Sequence, residues 1–372
     1  MRIEAMELIL IELPLKAPFE ASVGVLEKRQ LVLVKVEGEG FYGWGEASPL
    51  NEPTYNYETA ETAWHILETY LAPLVLGKEV AHPSKVRELY APIRGHNFAK
   101  AGLENAVWDW FARAEGVPLY RLLGGQKDRI GVGVSIGIQK SPDDLVRVVE
   151  RFASQGYQRI KIKIKPGRDL PDLTAVRRAL PDVPIMADAN SAYTLADIPV
   201  FQAMDDLNLM MYEQPLAWDD IVDHAKLQEA VRTPVCLDES VHSPDDARKA
   251  LELGSCRMIN IKVGRVGGHQ AAREIHEMML ARSLPVWCGG MFESGVGRAH
   301  NIHMTTLPGF TLPGDTSASD RYYHEDIVDE PAVLNPDGTL TVSNRPGIGV
   351  DVLPERLAQY ARRSRRFEAV AR

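Results

Sequence analysis

Hydrophobic and polar positions follow two different rules along this chain. Residues 2–12, 31–37 and 41–46 alternate apolar and polar side chains, the pattern of half-buried strands, and Gly38-Glu39-Gly40 supplies a hairpin turn between the last two. Residues 13–28, broken by Pro14 and Pro18, read as a loop that contains Phe19, Ser22 and Gly24, and Pro49–Tyr57 reads as a second loop. Over 57–76, 83–91 and 98–115 the apolar residues recur at helical spacing. An antiparallel meander followed by helices predicts a small α+β domain over residues 1–125, with a junction at Leu122-Leu-Gly-Gly-Gln126.

Beyond the junction, short apolar runs repeat: Ile130–Gly137, the run holding Lys161 and Lys163, then Pro184–Asp188, Leu209–Glu213, Pro234–Asp238, Arg257–Lys262 and Pro285–Cys288. A proline opens several of them, which a first strand position tolerates. Helices fit between, the first started by Ser141 as N-cap with Pro142 behind it and the next over 169–180. An eighth run is faint, near residue 311. Five runs end on charge, Lys163, Asp188, Glu213, Asp238 and Lys262, at intervals of 25, 25, 25 and 24 residues. That period suits one strand, one helix and two loops. The predicted class is α/β: a (β/α) TIM-type barrel over residues 126–314 behind an N-terminal α+β capping domain. Residues 315–372 carry a short hairpin near 335–342 and are expected to pack back on the cap. The last 17 residues hold six arginines and read as a solvated helix or frayed end.

Composition narrows the function more than the fold. With 372 residues, one large and one small domain are expected, and a formal net charge of −9 argues against a nucleic-acid or anionic-membrane surface. Three cysteines, Cys236, Cys256 and Cys288, make no disulfide framework. Acids interrupt the apolar residues of the N-terminus and no run is long enough to span a bilayer, so a cytoplasmic setting is expected.

In a barrel of this kind the strand-end charges share one mouth. Three carboxylates, Asp188, Glu213 and Asp238, stay ionised together only around a cation, and all-oxygen ligation suits Mg²⁺ first and Mn²⁺ second. Lys163 and Lys262 stand on the second and sixth strands, on opposite sides of anything bound between them. A nearby cation and a second lysine should lower their pKa toward that of a working base. Lys161 shares a face with Lys163 and reads as the agent of that shift or as a contact to a substrate carboxylate. Arg265, three residues past Lys262, reads as a solvated loop residue, or else as a like charge that tunes that lysine's pKa. Proton removal next to a carboxylate uses this set of groups. A Schiff-base aldolase with a lysine nucleophile, or a scaffold with a structural metal, are the readings from other classes.

The chain resembles the enolase superfamily, muconate lactonising subgroup, and within it the o-succinylbenzoate synthase and N-acylamino acid racemase family. The residues that carry this are Gly43-Trp-Gly-Glu-Ala47, Lys161-Ile-Lys163, Ala187-Asp-Ala-Asn190, Glu213-Gln-Pro215, Asp238-Glu-Ser240, Ile261-Lys262, Gly289-Gly-Met-Phe-Glu-Ser-Gly295 and Pro313-Gly-Asp-Thr-Ser-Ala-Ser-Asp320. The resemblance implies an enolase-like modified barrel, Mg²⁺ on Asp188, Glu213 and Asp238, and Lys163 and Lys262 as the acid/base pair. It implies substrate contacts from Ser135, Lys161, Asn190, Gly290 and Met291. Glu239 is expected behind the ligands, and Phe19, Ser22 and Tyr55 on the cap loops that close over the site. The implied substrate is a small carboxylate with a succinyl arm, and the implied reaction is dehydration to o-succinylbenzoate in menaquinone biosynthesis, with N-succinylamino acid racemisation in the same site. A dedicated racemase, a dipeptide epimerase and a muconate cycloisomerase are the alternatives. Barrels of this family commonly assemble, so a homo-oligomer is expected.

Overall fold

A computed structural model describes residues 1–21 and 24–370. Three N-terminal strands, β1 (Ala5–Ala21), β2 (Gly24–Gly38) and β3 (Phe41–Ala47), form an antiparallel sheet. The expected loop over 13–28 is instead the far end of a long ribbon, with Phe19 opposite Leu26 and Ala21 opposite Gly24. The register slips between Pro14 and Phe19, which absorbs both prolines, and the outer edge of β1 is unpaired beyond Ile11, where a missing N–H costs nothing. Ser22 lies outside the described residues.

Helical residues 60–75 and helix α1 (Asn97–Ala114) cover one face of this sheet. The Gly43-Trp-Gly45 motif explains how closely α1 docks. A Cβ on Gly43 would lie 2.2 Å from the carbonyl of Ala106, and one on Gly45 2.1 Å from that of Gly102, so only glycine lets β3 and α1 meet backbone to backbone.

The second sheet is parallel and curled, with seven strands in sequential order: β5 (Val134–Ile136), β6 (Ile160–Lys163), β7 (Ile185–Asp188), β8 (Tyr212–Glu213), β9 (Val235–Leu237), β10 (Met258–Ile261) and β11 (Val286–Cys288). Helices alternate with them; Ser141 Oγ accepts from the Asp144 amide at the start of the first, with Pro142 at its first position, as the sequence predicts. The expected first strand over 130–137 is split. Its start, β4 (Arg129–Gly131), turns away to pair with β12 (Thr339–Thr341), so the predicted hairpin near 335–342 pairs with β4. The eighth strand does not form. Residues 309–315 form no ladder with either sheet edge, only the isolated bridges of Phe310 to Val286 and Gly314 to Val132, beside single hydrogen bonds such as that of the Asp315 amide to the Cys288 carbonyl. Pro308-Gly309 and Pro313-Gly314 leave too short a run between them for a ladder.

The arginine-rich tail is a strand. Residues Ala361–Glu368 (β13) pair antiparallel with β1, and Arg362, Arg363, Arg365 and Arg366 meet Glu12, Glu61, Glu68 and Glu37. The Ala5–Ile11 edge of β1 and these acids supply the partners that a solvated helix or frayed end would lack.

Between the sheets the cap docks through buried acids. Glu46 of β3 accepts from the amides of Ser294 and Gly297 at the start of α3 (Gly295–Met304), and Glu104 of α1 accepts from Gln270 at the start of α2 (His269–Leu280). No helix among the described residues is long and apolar enough to cross a membrane.

Candidate active site

Parallel register sets the mouth of the curled sheet. Lys163 stands beside Asp188 and Asp188 beside Glu213, so their side chains share one side of three neighbouring strands. Lys161 is two residues behind Lys163 on the same face. Beneath them Met186, Met211, Cys236 and Trp287 fill the interior, which gives Cys236 a packing role.

Every ammonium at this mouth is anchored on carboxylate. Lys163 Nζ lies 2.6 Å from Asp188 Oδ2 and 2.5 Å from Asn190 Oδ1. Lys161 Nζ lies 3.1 Å from Asp188, 3.0 Å from Glu213 and 2.5 Å from Asp315. Lys262 Nζ lies 2.9 Å from Asp238 Oδ2 and 3.0 Å from the Tyr55 hydroxyl, which itself donates to Asp238 Oδ1 at 3.1 Å. Asn190 Nδ2 donates to Glu239, and Asn260 Nδ2 to Glu213.

A cavity of about 400 Å³ opens over this set. Lys161, Lys163, Lys262, Ser135, Asn190, Gly290, Met291, Phe19 and Tyr55, all named from sequence, line it. Asp188, Glu213, Asp238 and Glu239 do not; they lie behind the amines, at most 2% exposed. Ser135 Oγ is buried in the wall with no partner among the described residues. Phe19 packs edge-on against Phe292 and Tyr322, which holds the β1–β2 ribbon over the opening.

Two groups depart from the sequence reading, Arg265 from the solvated loop position expected of it and Asp315 by joining the site at all. Arg265 is fully buried, with its guanidinium against Asp238 Oδ1 and the carbonyls of Val241 and Asn260. A single arginine three residues past a strand end carries no periodic signal of this. Asp315 joins Lys161 to Arg159, 2.6 Å away on the strand floor; its Pro-Gly-Asp-Thr motif was visible, but the strandless path that brings it back was not.

The charges packed around each group set the electrostatics of the mouth. Burial presses the pKa of Lys161 and Lys262 down, but Asp315, Glu213 and Asp188 raise Lys161, and the Tyr55 phenol with Glu239 and Glu213 raises Lys262, above the ordinary lysine value. Burial likewise pushes Asp188 up, yet Lys163 and Lys161 hold it well below the usual carboxylate range. Asp315 is held low in the same way by Lys161 and Arg159.

Residues 5–124 match the mandelate racemase / muconate lactonizing enzyme N-terminal domain, and residues 144–356 the enolase C-terminal domain-like family. The chain belongs to the enolase superfamily. It is 54% identical over 362 residues to an o-succinylbenzoate synthase of Geobacillus kaustophilus, covering 97% of this chain and 96% of that one. It is 50% identical over 350 residues to an N-succinylamino acid racemase of Thermus thermophilus, covering 94% and 95%. An enolase-superfamily crystal structure from Listeria innocua superposes with a TM-score of 0.96 at 41% identity, over 100% of both chains. Enolase-superfamily enzymes of this kind are generally dependent on a divalent metal.

Among the described residues no three acids, histidines or cysteines close around one point; ammonium and guanidinium groups stand between them. The donor chemistry nonetheless fits a hard cation. Asp188, Glu213 and Asp238 are all-oxygen donors at successive strand ends, almost wholly buried, and a positive group, Lys161 Nζ, already bridges two of them.

Proposed function

We propose that this chain is a metal-dependent o-succinylbenzoate synthase that dehydrates a succinyl-hydroxycyclohexadiene carboxylate, with N-succinylamino acid racemisation in the same site. One observation carries the reading: two ammonium groups, Lys163 and Lys262, line one cavity while each is anchored on a different buried acid. Asp188, Glu213 and Asp238 would hold Mg²⁺, which when bound supplies positive charge for the carboxylate whose neighbouring proton is lost.

The chain's own residues do the rest. Lys163 takes the α-proton and returns a proton to the departing hydroxide on the same face; Lys262 supports the enediolate electrostatically. In racemisation each lysine serves one enantiomer, so the same pair favours that second activity, as does the 50% identical racemase. Lys161, Ser135, Asn190, Gly290 and Met291 contact the substrate, and Phe19 and Tyr55 exclude water from it. Glu239 orients Asn190 from behind. The reading includes a modified, bridged barrel over 126–314, a cap over 1–125 completed by 315–372, a homo-oligomer and a cytoplasmic setting; the three unpaired buried cysteines accord with the last. Steady-state assays of the Mg²⁺-loaded protein on the diene acid and on N-succinyl amino acids test it. Turnover of at least one is expected, and turnover of neither contradicts it.

A further inference from the structure

Arg29 of β2 is fully buried, and its guanidinium has neutral partners only. It donates to the Met291 carbonyl at 3.2 and 3.0 Å, to the Ser48 carbonyl at 2.9 Å and to Asn51 Oδ1 at 3.1 Å. The buried guanidinium groups of Arg159 and Arg265 each meet an aspartate instead. The titratable groups facing Arg29 are Tyr323, Glu46 and Glu293. Burial raises the Tyr323 phenol and pushes Glu46 up to about 8, so both keep their protons at neutral pH. Glu293 is outside ion-pair distance, with Oε1 accepting from Asn301. A buried cation left without an ion-pair partner is costly to the fold and calls for a reason beyond packing.

Its position supplies one. Asn51 and Met291 line the cavity, and Arg29 sits directly behind them. Arg29, Tyr323 and Arg298 take the carbonyls of Met291, Phe292 and Glu293 in turn. The amides of residues 290–293 donate to nothing among the described residues, and Phe292 has φ 56°, so this loop keeps successive N–H groups available to an anion.

We propose that Arg29 sets the preference for a substrate bearing a second, distal carboxylate: it positions the 48–51 and 290–293 loops and leaves a positive charge with no ion-pair partner behind the wall they form. This rests on the succinyl-substrate reading above and names the residue responsible for that part of it. The test is calorimetric binding to the Mg²⁺-loaded protein of an N-succinyl amino acid and of its N-succinamoyl counterpart, in which a neutral amide replaces the distal carboxylate. The wild type is expected to bind the succinyl compound about 10- to 100-fold more tightly. Arg29→Met should lose most of that ratio, and Arg29→Lys, which keeps the charge, should retain it. Asn51→Asp places a carboxylate against the guanidinium and should also collapse the ratio, which decides the matter if Arg29→Met does not fold. A wild type without the preference, an intact ratio in Arg29→Met or Asn51→Asp, or equal loss of both affinities in Arg29→Met overturns the proposal. Turnover measured alongside separates the two ideas: no turnover with the charge preference intact contradicts the enzymatic reading and leaves the role of Arg29 standing.

Discussion

The buried glutamates that meet helix starts and the buried aspartates around Lys161 behave in opposite ways. At the seam between cap and curled sheet, Glu46 and Glu104 meet the amides at the starts of α3 and α2, and within the cap Glu58 meets those of Phe98 and Ala99 at the start of α1. Burial pushes Glu46 up to about 8 and the other two up to about 7, because helix-end amides offer hydrogen bonds and partial charge only. At the mouth, Asp188 and Asp315 are as deeply buried, yet whole positive charges on Lys161, Lys163 and Arg159 keep them ionised. The seam is a neutral joint suited to holding two layers together. Around Lys161 the mouth stores full charges, ready to be rearranged around a cation and an anionic substrate.

The largest expected effect comes from breaking the mouth. Lys163→Ala or Lys262→Ala should each lower kcat by roughly 10²–10⁴-fold, measured on whichever substrate the wild type turns over. Retained activity in either variant would remove that lysine from the chemistry. Glu213→Gln or Asp238→Asn should come next, weakening Mg²⁺ binding by calorimetry together with activity, and chelation of the wild type should abolish turnover reversibly. Loss of activity in these variants with unchanged Mg²⁺ affinity would point to a structural role for the acids.

The seam answers to pH instead. Glutamates near 4.5 when unfolded and near 7 to 8 when folded stabilise the fold fully below pH 4.5, and that contribution is lost as pH rises through 7 to 8. Thermal unfolding should therefore show Tm falling from pH 6 to 9, with Glu46→Gln flattening the slope; an equally steep slope in that variant would count against the buried neutral acid. His300 and His303 act from the other side. Burial takes them down to about 3 and about 4, so their stabilisation is present above pH 6.5 and lost as pH falls through 4 to 3. His300→Gln should soften acid unfolding below pH 6. The smallest effect belongs to the exposed tail, where Arg365→Ala should cost under about 1 kcal/mol in chemical denaturation.

What could be read from the sequence follows the same division. The mouth was legible because a strand-end residue repeats with the βα period, and five charges at one interval are hard to arrange by accident. Arg265 and Asp315 lie off that period, so only the folded chain puts them beside Asp238 and Lys161. The seam was illegible for a related reason: Glu46 and Glu104 look like ordinary charged residues until helix starts from the other layer meet them. Prolines misled in one direction, marking a loop where β1 and β2 continue as a ribbon, and were underweighted in the other, where Pro308 and Pro313 prevent the eighth strand.

The most direct test of the mouth is proton exchange. The Mg²⁺-loaded wild type, Lys163→Ala and Lys262→Ala are incubated with each enantiomer of an N-succinyl amino acid in D₂O, and the α-proton is followed by NMR. The wild type should exchange both enantiomers, and each variant should keep exchange of one enantiomer only, with opposite selectivity. Exchange of both enantiomers by either single variant, or of neither by the wild type, would contradict a two-lysine site.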